Sequence, residues 1–244
     1  MTQKVVLTSL DWVMGAESAF LAQVKLVLAA LRDKEVAVVG YTGCDRAEVE
    51  PIRAELDWHD PFMTESGSAI FTPVAYNPFP NSLGELDDPY FVEALGCPYV
   101  QARAGLRVLA NLISHPLKGF GDFTVPQLEK FMKVEEDVAH RAKAREFSEP
   151  FMTPKAVETA ALIDAAKEMG FDVVLRDPEV SRFSDLVGAG VSVAAAAARV
   201  VAAYGADEVA VVGAEEDVDA ITAETWRKIV VRSHPDWLDS LKQI

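Results

Sequence analysis

Three polar clusters follow apolar runs that read as strands, and they hold the residue types that acid–base, nucleophilic or anion chemistry needs. Thr8, Ser9 and Asp11 follow Val5-Val6-Leu7. Ligands in open α/β sheets gather outside the carboxyl ends of the strands. Ser9 is a weak nucleophile unless a base activates it, and His59, His115, His140 and His234 all lie outside these segments. Asp11 can act as an acid, or simply cap the following turn. Thr42 adds a hydroxyl after Val36–Tyr41, while Glu215, Glu216, Asp217 and Asp219 follow Glu208–Gly213. Those carboxylates could reach a metal, Asp217 and Asp219 above all, or form a solvated acidic loop. Arg141, Arg145 and Arg182 could clamp a carboxylate or phosphate. Alternatively, Arg141 and Arg145 pair with Asp137 and Glu149 along one helix.

Alternating strand and helix patterns must position these groups. The periodicity predicts a strand at Val5–Leu7, a helix over Ala16–Leu31, a strand at Val36–Tyr41 and a helix over Ala47–Leu56. Such succession implies a parallel sheet with right-handed crossovers. Pro61–Phe71 reads as short strands around a glycine turn. From Asn77 to about Gly96, Pro78, Pro80 and Pro89 among polar residues mark the exit into an inserted domain. Within it, helices are expected over Tyr99–Ile113, from Val125, along the charged stretch Val134–Phe147 and over Ala156–Met169, then a strand at Phe171–Leu175. The chain returns to the core with a helix over Val191–Tyr204, the strand Glu208–Gly213, a last strand near Lys228–Val231 and a terminal helix. The expected fold class is α/β: a Rossmann-like parallel core, residues 1–77 plus 187–244, with an α+β cap over 78–186.

Among its 244 residues, 50% are hydrophobic and 25% charged, enough for one large domain or two modest ones. A formal charge of −15 argues against nucleic acid and anionic membrane surfaces as partners, though local arginines can still hold a small anion. Only Cys44 and Cys97 are present, so inert thiols and a cytoplasmic location are expected. No basic region precedes a long apolar segment, so no signal peptide is expected. The alanine-rich stretch Val193–Tyr204 is too short to span a bilayer.

Several segments share one resemblance. The strand and turn Lys4–Trp12 resemble the opening motif of haloacid-dehalogenase-type (HAD) phosphatases, aspartate-x-aspartate-glycine-threonine. Glu65-Ser66-Gly67-Ser68-Ala69-Ile70, Gly119-Phe120-Gly121-Asp122-Phe123, Arg141–Phe151 and Arg182-Phe183 resemble segments of mannosyl-3-phosphoglycerate phosphatases. The resemblance implies a HAD core with a cap and a cleft between them. It implies that Gly43, Glu65, Ser66, Gly67, Gly121, Asp122, Arg141, Arg145, Glu149 and Arg182 contact a phosphorylated sugar acid. Gly121-Asp122 could bind sugar hydroxyls, or only form the turn before a helix.

The departures fall on the catalytic positions. Ser9 stands where the nucleophilic aspartate belongs, Asp11 matches the second aspartate, and Trp12 replaces glycine. Thr42 keeps the hydroxyl of the second motif. Gly188–Ala198 contains no lysine, Ser192 being the nearest match, and Ala214 replaces a magnesium-binding aspartate. In the family, an aspartate attacks phosphorus while magnesium and the lysine offset charge. The resulting expectation is a catalytically degenerate protein with a binding, regulatory or assembly role. It would need no cofactor, and a small anionic ligand or a protein would be its partner. The alternative is a magnesium-dependent phosphatase using altered residues, with Ser9, Asp11 and Thr42 at its catalytic centre. Trp12 could also plug the phosphate site.

Overall fold

A computed structural model describes residues 3–176 and 181–244. Strand β1 (Lys4–Ser9) lies inside the main sheet and is buried on both faces. Val6 joins the apolar cluster on one face, while Val5 and Leu7 join the cluster on the other. Strand β2 (Val36–Tyr41) divides likewise, Val38 to one side and Ala37, Val39 and Tyr41 to the other. This two-sided burial is why both strands read as unbroken apolar runs, and each such side chain contributes roughly 1.5–3 kcal/mol.

Helices α1 (Ser18–Asp33) and α2 (Arg46–Leu56) connect β1, β2 and β3 (Phe62–Thr64), which run parallel. Asp45 starts α2 with a reciprocal capping box: its carboxylate accepts from the Glu48 amide at 3.0 Å, and the Glu48 carboxylate accepts from the Asp45 amide at 3.3 Å. Strand β4 (Ala69–Pro73) turns antiparallel, followed by β5 (Glu85–Asp87) and β6 (Tyr90–Ala94).

The inserted region contains α3 (Tyr99–Leu112), α4 (Val125–Met132), α5 (Glu136–Arg141), β7 (Glu149–Met152), α6 (Thr159–Glu168), β8 (Phe171–Val174) and β9 (Phe183–Gly188). The core resumes with α7 (Val193–Tyr204), β10 (Glu208–Gly213), α8 (Glu215–Ile221), β11 (Arg227–Val230) and α9 (His234–Lys242). Among the described residues the main sheet has the order β11-β10-β1-β2-β3-β4-β6-β5, and a separate antiparallel sheet has the order β7-β9-β8. The second sheet has its own core of Leu106, Leu109, Phe151, Leu162 and Leu186. No described helix is long and apolar enough to cross a membrane.

The expected division assigned residues 78–94 to the cap, whereas the pairing of β6 with β4 extends the core sheet through them. We infer from this pairing that the cap begins after β6 and ends with β9, beyond the expected junction at 186/187. The charged stretch Val134–Phe147 is helical only over Glu136–Arg141. The expected acidic loop begins a helix at Glu215, with Glu215, Glu216 and Asp217 in its first turn, where the positive end of the helix dipole favours acids.

Candidate functional site

Parallel register sets Ser9 beside Tyr41 at the carboxyl ends of β1 and β2. Ser9 caps a short 3-10 turn, Leu10–Trp12, and its Oγ accepts a hydrogen bond from the Asp11 amide at 3.1 Å. Thr42 donates to Asp11 Oδ1 at 2.7 Å and accepts from the Cys44 amide at 3.1 Å. Ser9, Asp11 and Thr42 therefore come together. Ser9 is only 3% exposed, however, and its oxygen is committed to the turn.

Tyr41 and Asp217 join this group. Burial, reinforced by the negative charges of Asp217 and Asp11, pushes the Tyr41 hydroxyl well above its usual range. It has no hydrogen-bond partner among the described residues and is buried. The Asp217 carboxyl is raised by burial, then by Asp11 and Glu216. Tyr41 was not a candidate on sequence. Its apolar-strand setting disguised it, although its place at the end of β2 could have signalled it.

Asp219, offered with Asp217 as a metal ligand, is exposed and pairs with Lys228 at 2.7 Å. Successive carboxylates on a helix cannot all face one point, so the first turn of α8 offers Asp217 inward and not Asp219. Ala214 caps α8 without a side-chain bond, and Ser192 Oγ accepts from the Ala195 amide at 3.1 Å as the cap of α7. Among the described residues no three histidine, cysteine, aspartate or glutamate side chains are grouped to hold a metal ion. The donor set does not fit the magnesium of the resemblance, because serine and alanine stand at two carboxylate positions. Trp12 packs edge-on to His234, ring centres 5.6 Å apart, and joins the core cluster containing α1 and α9 side chains.

Glu65, Ser66 and Gly67 join the core to the cap. All three have positive φ, at 50°, 60° and 90°. Glu65, fully buried, accepts from the Glu146 amide at 2.9 Å, the Phe147 amide at 3.1 Å and Ser148 Oγ at 2.6 Å. Its carboxylate is thus occupied by the chain returning from α5, which leaves little capacity for substrate. Ser66 Oγ donates to Asp185 Oδ2 at 3.2 Å. Gly67 lies against the Ser192 carbonyl, where a Cβ would collide.

The expected arginine clamp divides. Arg141 pairs with Asp137 at 2.9 Å, as one reading of the i,i+4 spacing allowed. Arg145 does not pair with Glu149. It is buried, donates to the Gly43 carbonyl at 2.6 Å, and lies 3.6 Å from Asp45 and 3.7 Å from Glu48. Burial raises Asp45 to about 7, Arg145 opposing the shift and Glu48 adding to it. Arg176, absent from the sequence candidates, bonds Asp185 at 2.7 Å and reaches the Gly43 carbonyl at 3.5 Å. Its guanidinium occupies the space a Gly43 side chain would need. A cavity of about 500 Å³ between core and cap is lined by Glu48, Arg145, Arg176, Arg182 and Asp185, with Phe120 and Phe183 on the cap side.

The remaining cap candidates form a network of their own. Arg103 bonds Asp122 at 2.8 Å and Glu149 at 3.2 Å, while Gly121 donates its amide to Glu149 at 3.0 Å and Gly119 donates to Asp122 at 3.1 Å. Gly121 is needed here because the Arg103 guanidinium fills the position of a Cβ. Arg103 was missed on sequence because it reads as the polar face of an amphipathic helix.

No family model matches the chain. Among solved structures, a Bacteroides thetaiotaomicron phosphatase of the haloalkanoate (HAD) enzyme superfamily is similar, with TM-score 0.65, 13% identity and 99% of this chain and 95% of that one covered. Its fold is that of the HAD superfamily. A sucrose-phosphatase from Synechocystis is also similar to this HAD-like chain, with TM-score 0.61, 11% identity and 100% and 98% coverage. In sequence, the chain is 31% identical over 163 residues to a glucosyl-3-phosphoglycerate/mannosyl-3-phosphoglycerate phosphatase of Persephonella marina, covering 67% of this chain and 58% of that protein. It is 34% identical over 125 residues to the mannosyl-3-phosphoglycerate phosphatase of Pyrococcus horikoshii, covering 51% and 50%. The chain thus spans about half the length of the curated relatives it matches.

Proposed function

We propose that this HAD-like chain is a catalytically degenerate binding protein whose core–cap cleft takes a phosphorylated sugar acid or similar small anion. The observation that carries this reading is the state of Ser9: buried, with its oxygen held by the Asp11 amide. Loss of a coordinated catalytic set costs on the order of a million-fold elsewhere. Phosphate-monoester hydrolysis requires the largest accelerations known, so little useful turnover survives such a loss. Ala214 and Ser192 remove two further charges that the resemblance assigns to catalysis. Arg145, Arg176 and Arg182 around the cleft support retained anion binding.

The test is phosphate release from mannosyl-3-phosphoglycerate with magnesium, beside calorimetric binding of the same compound. Binding without turnover is expected. Turnover lost in Ser9→Ala would overturn the reading.

A second reading, a phosphatase with altered residues, is favoured by the gathering of Asp11, Asp217 and Tyr41. It expects magnesium-dependent phosphate release that Asp217→Asn abolishes and Asp219→Asn leaves intact.

A further inference from the structure

The cavity between core and cap has two chemically different walls. On one, the cations Lys133, Arg145, Arg176 and Arg182 stand against the acids Glu48 and Asp185. Glu48 lies 3.7 Å from Arg145, and Asp185 accepts from Arg176 at 2.7 Å. Among the described residues the lining is therefore cationic, in a chain whose formal charge is −15. A local field of that sign concentrates anions and suits the double charge of a phosphate monoester.

The other wall is apolar. Phe120, Phe131, Met132 and Phe183 form it, and none carries a strong hydrogen-bonding group. Helix α4 delivers Phe131 and Met132 at its C-terminal end, where Lys133 leaves the helix with φ of 59°. The short turn Phe120–Asp122 and the start of β9 deliver Phe120 and Phe183, whose rings meet edge to face at 4.8 Å. Phe120 and Phe183 are almost wholly covered, but Phe131 and Met132 are only partly so. Their open area is apolar surface that water wets until a ligand replaces it.

The two walls meet at Arg145, whose guanidinium lies over the Phe120 ring at 5.7 Å. An anion held by the cations therefore has its substituent next to the aromatic side. A polyol placed there gives up hydrogen bonds to water and meets rings and a thioether, whereas an apolar ring is covered without that loss. At about 500 Å³ the cavity has the size of a small-molecule site, with an apolar wall and a few placed charges.

We propose that the core–cap cleft selects a small phosphate monoester whose ester group is an aromatic ring over one whose ester group is a polyol. The proposal rests on the reading of the cleft as an anion site and names the class of anion.

The experiment is calorimetry on the full chain, without magnesium, with inorganic phosphate, glycerol 3-phosphate and phenyl phosphate. The two esters match in charge and differ in the group they carry. Phenyl phosphate is expected to bind about tenfold more tightly than glycerol 3-phosphate, the worth of covering part of one ring. Arg182→Gln should weaken both esters alike and keep their ratio. Phe131→Ser and Met132→Gln should each lower that ratio by about threefold or more. The ratio is read within one protein sample, so a variant that is partly unfolded does not distort it. Failure of all three compounds to bind overturns the anion reading, and this inference with it. Equal affinity for the two esters, or a ratio unmoved in both Phe131→Ser and Met132→Gln, overturns this inference alone.

Discussion

Glu65→Ala is the change that most directly tests the assignment of this carboxylate to the core–cap junction. Glu65 is fully buried and accepts three hydrogen bonds, from the Glu146 amide, the Phe147 amide and the Ser148 hydroxyl. Removing it leaves two backbone donors and one hydroxyl without an acceptor. The hydroxyl can rotate, but the amides cannot. An unsatisfied donor costs about 1–3 kcal/mol, and because these amides are only partly buried, the lower half of that range applies to each. The sum is a loss of about 3 kcal/mol. For a chain of this length, that lowers the melting temperature by roughly 6–12 °C.

Glu65→Gln retains one acceptor and should lose about half as much. Glu65→Gly should fall between wild type and alanine, because it loses the same bonds but relieves the positive φ of 50°. Thermal and urea unfolding give the order of the variants, and amide exchange at Glu146 and Phe147 locates the effect. If Glu65→Ala unfolds within about 0.5 kcal/mol of wild type, a change typical of surface sites, the junction assignment is wrong. Unchanged protection of both amides would refute it equally.

Arg145→Met should cost about 3–5 kcal/mol in urea unfolding, because it leaves Glu48, and above about pH 7 Asp45 as well, buried without counter-charge. Stability should also fall as pH rises from about 4 to 7. Folded Asp45, raised to about 7 chiefly by burial, still holds a proton that the unfolded chain has released, so the unfolded state binds fewer protons throughout that window. Asp60, Glu146, Glu149 and Asp217 are raised in the same direction. Melting temperatures across the window should show a shallower decline for Asp45→Asn, and an identical slope would exclude Asp45 as a contributor. Trp12→Gly should destabilise by about 1–2 kcal/mol through loss of the edge contact on His234 and produce no phosphatase activity. Calorimetry and phosphate release check the two parts separately.

The parallel core was legible because its strands are buried on both faces. Val36–Tyr41 and Glu208–Gly213 were bounded correctly from their apolar runs and flanking turns. Strand β5 gave no such signal: Glu85, Leu86 and Asp87 are all exposed at the sheet edge, and nearby prolines suggested an exit into the inserted domain. Strand β7 was hidden for a different reason. Glu149 and Pro150 break an apolar pattern, yet both are buried, the glutamate because Arg103 and Gly121 answer it from distant parts of the chain.

The candidate site divides along the same line. Ser9, Asp11 and Thr42 were found because each follows directly on a strand end, and local sequence fixes that relation. The roles of Glu65, Arg145 and Arg176 depend on partners 81, 102 and 133 residues away, which spacing along the chain does not encode. Glu65 and Arg145, two groups that the resemblance would turn toward substrate, are thereby drawn, wholly or in part, into holding core and cap together. A carboxylate whose oxygens accept three protein donors keeps little capacity for a ligand, whereas the Arg145 guanidinium, with one hydrogen bond to the Gly43 carbonyl, retains donors for an anion in the cleft. Phosphatase activity cannot then be restored at Ser9 alone. Ser9→Asp would place a second carboxylate beside Asp11, with Asp217 close by, so its pKa should rise and its nucleophilicity fall. Only if Ala214→Asp and a lysine at Ser192 accompany it should turnover appear. Activity in the Ser9→Asp single variant would show that the charge balance of the site has been misread.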